Sequence, residues 1–164
     1  MAVNATPKDP AADGYLDVAE ADAYFAKRLW ASAWTGATTA DKEAAIKWAT
    51  AILDRKSWKG TVTDSAGALR WPRSGVFDLD GDLLDGDTIP QFLKDATAEL
   101  AIHLITKDRT TDTGTEGFSR IAIGSISLDV DKFDRPDELP PSVQDIIAPY
   151  LAGVSSTSVP VMRV

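Results

Sequence analysis

Cysteine is absent from the 164 residues, and there are only one histidine and two methionines. The first absence removes disulfides, thiolate nucleophiles and cysteine-bound metals from the possibilities. The second rules out a histidine-rich metal cluster and leaves His103 alone for any triad chemistry. There is no Walker A loop, no dinucleotide GxGxxG and no GxSxG elbow. No apolar run is long enough to span a bilayer, and the N-terminus lacks a signal-peptide core, so no membrane partner is expected. Positive charge is scarce too: 17 Lys and Arg face 25 Asp and Glu, a net charge of −8. Such a chain should be soluble and should not grip phosphate backbones by counterion release, and no run of Lys and Arg marks a local exception.

What is present suits one mainly α domain. The chain is 44% hydrophobic, enough for a real core. The expected fold is a small four-helix bundle with a β-hairpin and an extended C-terminal tail. Residues 1–14 read as a flexible N-terminal arm, 15–153 as the helical domain with a hairpin at 119–130, and 154–164 as a docking tail. Asp17, with Glu20 three places on, should cap a first helix from about Val18 to Trp30. Val18, Ala21, Phe25 and Leu29 share one face of it. Thr38-Thr39 should open a second helix, with Ala45, Ile46, Ala49, Ile52 and Leu53 as its apolar stripe and an end near Lys56. Thr88-Ile89-Pro90-Gln91 has capping-box spacing for a third, along which Ile89, Leu93, Ala96, Leu100 and His103 recur. On that face His103 reads as a core-edge or interface residue. The last helix should begin near Pro140-Pro141 and be bent or cut short by Pro149.

Between these helices lie three unlike connections. Leu69-Arg70-Trp71-Pro72-Arg73-Ser74-Gly75 reads as a loop that drives an indole into the core between two guanidinium groups. Val76–Asp87 carries Asp78, Asp80, Asp82, Asp85 and Asp87. A calcium loop begun at Asp78 fails at its sixth position, Leu83, and its twelfth, Ile89, so Asp-Gly turn chemistry is the better reading. No metal and no cofactor are expected. Arg120–Asp129 should form a hairpin around Gly124-Ser125, pairing Ile123 with Ile126, Ile121 with Leu128 and Arg120 with Asp129. Ile121, Ile123, Ile126 and Leu128 would then share one face. Most carboxylates sit beside Gly, Thr or Pro in turns, which argues against a paired-acid enzyme. The expectation is a non-catalytic protein.

Several landmarks, taken in order, resemble one family. They are Leu53-Asp54, Trp58-Lys59-Gly60, Ala68 to Arg73, Gly81, Ile89-Pro90, Glu99-Leu100-Ala101, Ile123 to Leu128, Leu139-Pro140 and Pro149-Tyr150-Leu151. Their order is similar to that in the neck adaptors, or head–tail connectors, of tailed double-stranded-DNA bacteriophages. The resemblance implies a structural virion protein, assembled in the host cytoplasm and placed in the neck between portal and tail. It implies a homo-oligomeric ring, commonly twelve-fold, bound to the portal protein and to a downstream neck or tail-completion protein. Genomic double-stranded DNA would pass through its lumen without specific binding. Portal docking would fall to the tail, at Val159, Val161, Met162, Arg163 and Val164. Trp71, Pro72, Arg73 and the hairpin residues Ile121, Ile123, Ile126 and Leu128 would pack subunits or hold the fold. The alternative expectation is a DnaT-like single-stranded-DNA-binding module. Five tryptophans offer stacking platforms. Against it, Trp30 and Trp48 fall in expected helices and no basic groove is apparent.

Overall fold

A computed structural model describes residues 2–109, 120–123, 126–129 and 137–153. The described part is mostly helical. It has five α-helices: α1 Val18–Phe25, α2 Ser32–Thr35, α3 Thr39–Asp54, α4 Gln91–Thr106 and α5 Pro141–Ile147. Two small antiparallel pairs join them: β1 Thr61–Val62 with β2 Arg73–Ser74, and β3 Arg120–Ile123 with β4 Ile126–Asp129. Five helices stand where four were expected, because the first ends early and a short α2 follows it in a stretch expected to lie beyond that helix. No helix among the described residues is long and apolar enough to cross a membrane.

The core is built on α3 packed against α4, with α5 laid on α4. All five expected stripe residues of α3 are buried, as are Leu93, Ala96 and Leu100 of α4. Helix α1 starts as its sequence requires. Asp17 accepts from the Glu20 backbone N–H at 2.8 Å, and Glu20 accepts from the Asp17 N–H at 3.1 Å. It ends at Phe25, five residues early. Lys27 N and Arg28 N turn back on the carbonyls of Tyr24 and Phe25, and Trp30 takes a left-handed φ of +54°. Leu29 fits the helical period yet stands 74% exposed, since nothing packs across from it. Trp34 of α2 fills the place instead, its ring tilted against Phe25 at 4.8 Å between centres. Its Nε1 donates to Asp22 at 2.7 Å, an oxygen that Lys42 also reaches at 2.8 Å.

The two long helices start differently. Thr38 caps α3, its hydroxyl accepting from the Asp41 N–H at 3.2 Å. Helix α4 has no side-chain cap. Pro90, extended at φ −68° and ψ 150°, occupies the N-cap position, so the expected Thr88–Gln91 box does not form. Thr38→Ala should therefore lose about 1 kcal/mol, or roughly 2–4 °C of melting temperature. Thr88→Ala should fall within about 0.5 kcal/mol of wild type. Thermal melting of the pair checks both values.

Pro149 shortens the last helix as expected, and Ala148–Tyr150 tighten into a 3₁₀ turn. The chain then runs beside the α3 exit, where Lys59 N donates to Tyr150 O and Ala152 N to Ser57 O, each at 2.9 Å. The β3–β4 register is Arg120 to Asp129, Ile121 to Leu128, Ala122 to Ser127 and Ile123 to Ile126, as the Gly-Ser turn requires. Residues 2–14, marked by the sequence as a loose arm, lie against the body. Asn4 N donates to the Asp13 carboxylate at 2.7 Å, Ala68 N to Asp9 O at 3.2 Å, and Tyr15 N to Thr50 Oγ1 at 3.2 Å.

A candidate single-strand interface on helix α3

The five tryptophans divide into two groups. Trp34, Trp58 and Trp71 are 1%, 5% and 1% exposed and belong to the core. Trp71 meets Trp58 and Phe92 edge-on, both at 5.5 Å between ring centres, and Phe92 stacks flat on Tyr150 at 3.6 Å. Pro72 is buried beside it, and the Trp71–Pro72 peptide is cis. Arg73 does not reach outward. Its guanidinium donates to the carbonyls of Lys59 at 2.7 Å, Gly60 at 2.6 Å, Arg70 at 3.3 Å and Trp58 at 3.4 Å. Gly60 lies at φ +71°, and a Cβ there would come within 2.3 Å of Ser74 O, so this corner admits only glycine. The landmark Trp71-Pro72-Arg73 thus ties its own loop together.

Trp30 and Trp48 form the other group. Trp48 is 47% exposed on α3. Ala44, Trp48, Ala51 and Arg55, at spacings of four, three and four, are the exposed strip of that helix. The small alanines leave the indole standing above its own surface. A groove lies on each side of it. One, of about 570 Å³, runs between α2, α3 and the end of α4 and is lined by Ala33, Ala37, Ala44, Leu104 and Ile105 among others. The second, of about 480 Å³, is lined by Lys47, Thr50, Ala51, Asp54, Arg55 and Leu69 with Asp13. Trp48 borders both.

Along the sequence, the stretch from Lys47 onward runs against the chain's average charge. Residues 47–73 carry Lys47, Arg55, Lys56, Lys59, Arg70 and Arg73 against only Asp54 and Asp64. The cations are spread along the sequence, so no run is visible, and in the fold Asp13, Asp54 and Glu138 stand among them. Arg55 keeps 61% of its side chain exposed while reaching Glu138 at 3.3 Å, and Lys47 pairs with Asp13 at 2.7 Å. Asp13 is held below the usual carboxylate range despite partial desolvation, through its bonds to Lys47 and to the Asn4 N–H. A flat apolar ring between shallow grooves, with guanidinium and ammonium groups alongside, can stack an unpaired base and meet its phosphate.

Trp30 stands 88% exposed in the turn between α1 and α2. Left-handed backbone costs a bulky residue about 1–3 kcal/mol. The turn is anchored next door. Arg28 donates to both oxygens of Glu99, at 2.5 and 2.9 Å, and Tyr24 OH donates to the same carboxylate at 2.7 Å. Glu99 is 5% exposed, on α4. His103, one turn further along α4, titrates below its ordinary range through burial first and the nearby Arg109 second.

The five aspartates of residues 76–87 form a projecting loop with Phe77, Leu79 and Leu83 exposed between them. Asp78 accepts from the N–H groups of Asp80 at 3.0 Å and Asp82 at 2.8 Å, which is turn chemistry. Ile121, Ile123, Ile126 and Leu128 are placed by the β3–β4 register alone. Val159, Val161, Met162, Arg163 and Val164 lie outside the described residues.

One family matches the chain over residues 1–164, that described as "Putative DnaT-like ssDNA binding protein". The chain belongs to this family. No curated protein and no solved structure matches it. The match overturns the likeness to phage neck adaptors, and with it the connector function, the portal and tail-completion partners, the twelve-fold ring and the duplex-filled lumen. The physical reason lies in the landmarks themselves. Trp58, Trp71 and Arg73 satisfy contacts within this chain, to α3, α4 and their own loop, so they report how the chain packs and carry no information about a partner. Sequence reasoning missed Trp48 by treating helical placement as disqualifying. The signal was there, in the Ala44-Trp48-Ala51-Arg55 strip opposite the apolar stripe.

Proposed function

We propose that this protein is a non-catalytic module that binds single-stranded DNA along the outer face of α3. A base stacks on Trp48, and Arg55 and Lys47 meet the neighbouring phosphates. The observation that carries this reading is an indole half open to solvent between two grooves, with Lys47 and Arg55 lining the one it shares with them. Membership of the DnaT-like family supports it. The overall charge of −8 is compatible, because only the field within a Debye length of about 8–10 Å acts on a bound strand.

Fluorescence anisotropy of a labelled dT oligonucleotide tests the proposal. Binding is expected at low salt, with log affinity falling against log salt at a shallow slope near −0.7 per phosphate contacted. One stacked base is worth about 1–3 kcal/mol, so Trp48→Ala should weaken binding about tenfold or more. Its melting temperature should stay close to wild type, since the indole is only half covered. A variant that binds as tightly as wild type, or a wild type that ignores the oligonucleotide at low salt, would refute the proposal.

A further inference from the structure

Trp30 has no role in the fold that explains its placement. Its ring buries almost nothing, and its backbone sits in a region that glycine or asparagine would occupy without strain. A residue that is strained and also unpacked gains nothing from its own chain, so any return on that arrangement lies outside it. The turn is nevertheless firmly held. Arg28, two residues before, grips buried Glu99 of α4 through two hydrogen bonds. Ala33, three residues after, lines the larger groove whose opposite wall carries Trp48. The indole is therefore a presented group rather than a loose one. Lys27, three residues before it in the chain, is exposed, and Arg28 is taken up by its pair with Glu99.

We infer that Trp30 is a second nucleobase platform, reached by a strand that leaves Trp48 along the Ala33–Ala37–Leu104–Ile105 groove. The inference rests on the single-strand reading above and adds the path of the strand. A short oligonucleotide occupies Trp48 alone, whereas a longer one engages both rings, so affinity rises with length more than the extra phosphates provide. The groove that Trp48 borders has alanine, leucine and isoleucine on its walls with Asp41 as its one charged group, a lining that suits bases and sugars better than phosphates.

The test compares dT5 with dT20 by anisotropy for the wild type, Trp30→Ala, Trp30→Phe and Leu29→Ala. Trp30 and Leu29 are both exposed, so all three variants should fold. The gain in affinity from dT5 to dT20 should shrink about fivefold in Trp30→Ala and be largely kept in Trp30→Phe, which retains a stacking face. Leu29→Ala should leave the gain unchanged. If Trp30→Ala keeps the full gain, or Leu29→Ala loses as much, Trp30 is not a platform while the Trp48 reading survives. Loss of self-association by Trp30→Ala in sedimentation, with its length gain intact, would assign the turn to protein contact and overturn the inference. A wild type that binds neither oligonucleotide removes the parent reading as well.

Discussion

Trp71→Ala should lower stability by about 3–5 kcal/mol, seen as a fall in the urea midpoint with little change in slope. The indole is 1% exposed and wedged edge-on against Trp58 and Phe92. Phe92 in turn lies flat on Tyr150, so the loss reaches the exit of α3, the start of α4 and the 3₁₀ turn together. No single neighbour can move to fill the space without breaking another ring contact. The indole N–H has no hydrogen-bond partner in this cluster, which offsets part of the gain from burial. A midpoint equal to that of wild type would show that the loop does not anchor the core.

Arg28→Met should be the next most damaging change, at about 3 kcal/mol. It leaves the Glu99 carboxylate buried with only Tyr24 to answer it, and an uncompensated buried charge costs about 3–5 kcal/mol. The lower end applies because 31% of the Arg28 side chain meets water. Arg28→Met with Glu99→Leu should recover most of the loss, since the charge is then gone with its partner. If the double variant is no more stable than the single one, Glu99 holds something beyond Arg28. Chemical denaturation of the four proteins closes this cycle.

The parts of the fold that were legible are those in which sequence period and tertiary burial agree. The α3 stripe from Ala45 to Leu53 repeats at helical spacing and meets α4, so pattern and contact coincide. Gly124-Ser125 allows one hairpin register, and β3 pairs with β4 in it. Where the two diverge, the reading failed. Leu29 satisfies the α1 period, but the turn at Trp30 and the arrival of Trp34 against Phe25 depend on packing that periodicity does not carry. Thr88 has capping chemistry, yet the backbone turns helical only after Pro90. The site was less legible than the fold. Its cations are separated by up to twenty-six positions in the chain, and which tryptophans remain exposed depends on what α4 and the Trp71 loop cover.

The aspartate-rich loop has a bearing on how far the proposed interface could extend. Asp78 and Asp80 lie close enough to Tyr150 to help desolvation raise its phenol above the ordinary range. Tyr150 borders the exit of α3 through Lys59. A polyanion running past Arg55 in that direction would meet like charge at short range. On the strand path proposed above, that side would be closed to the strand and the side toward Trp48 and Trp30 open.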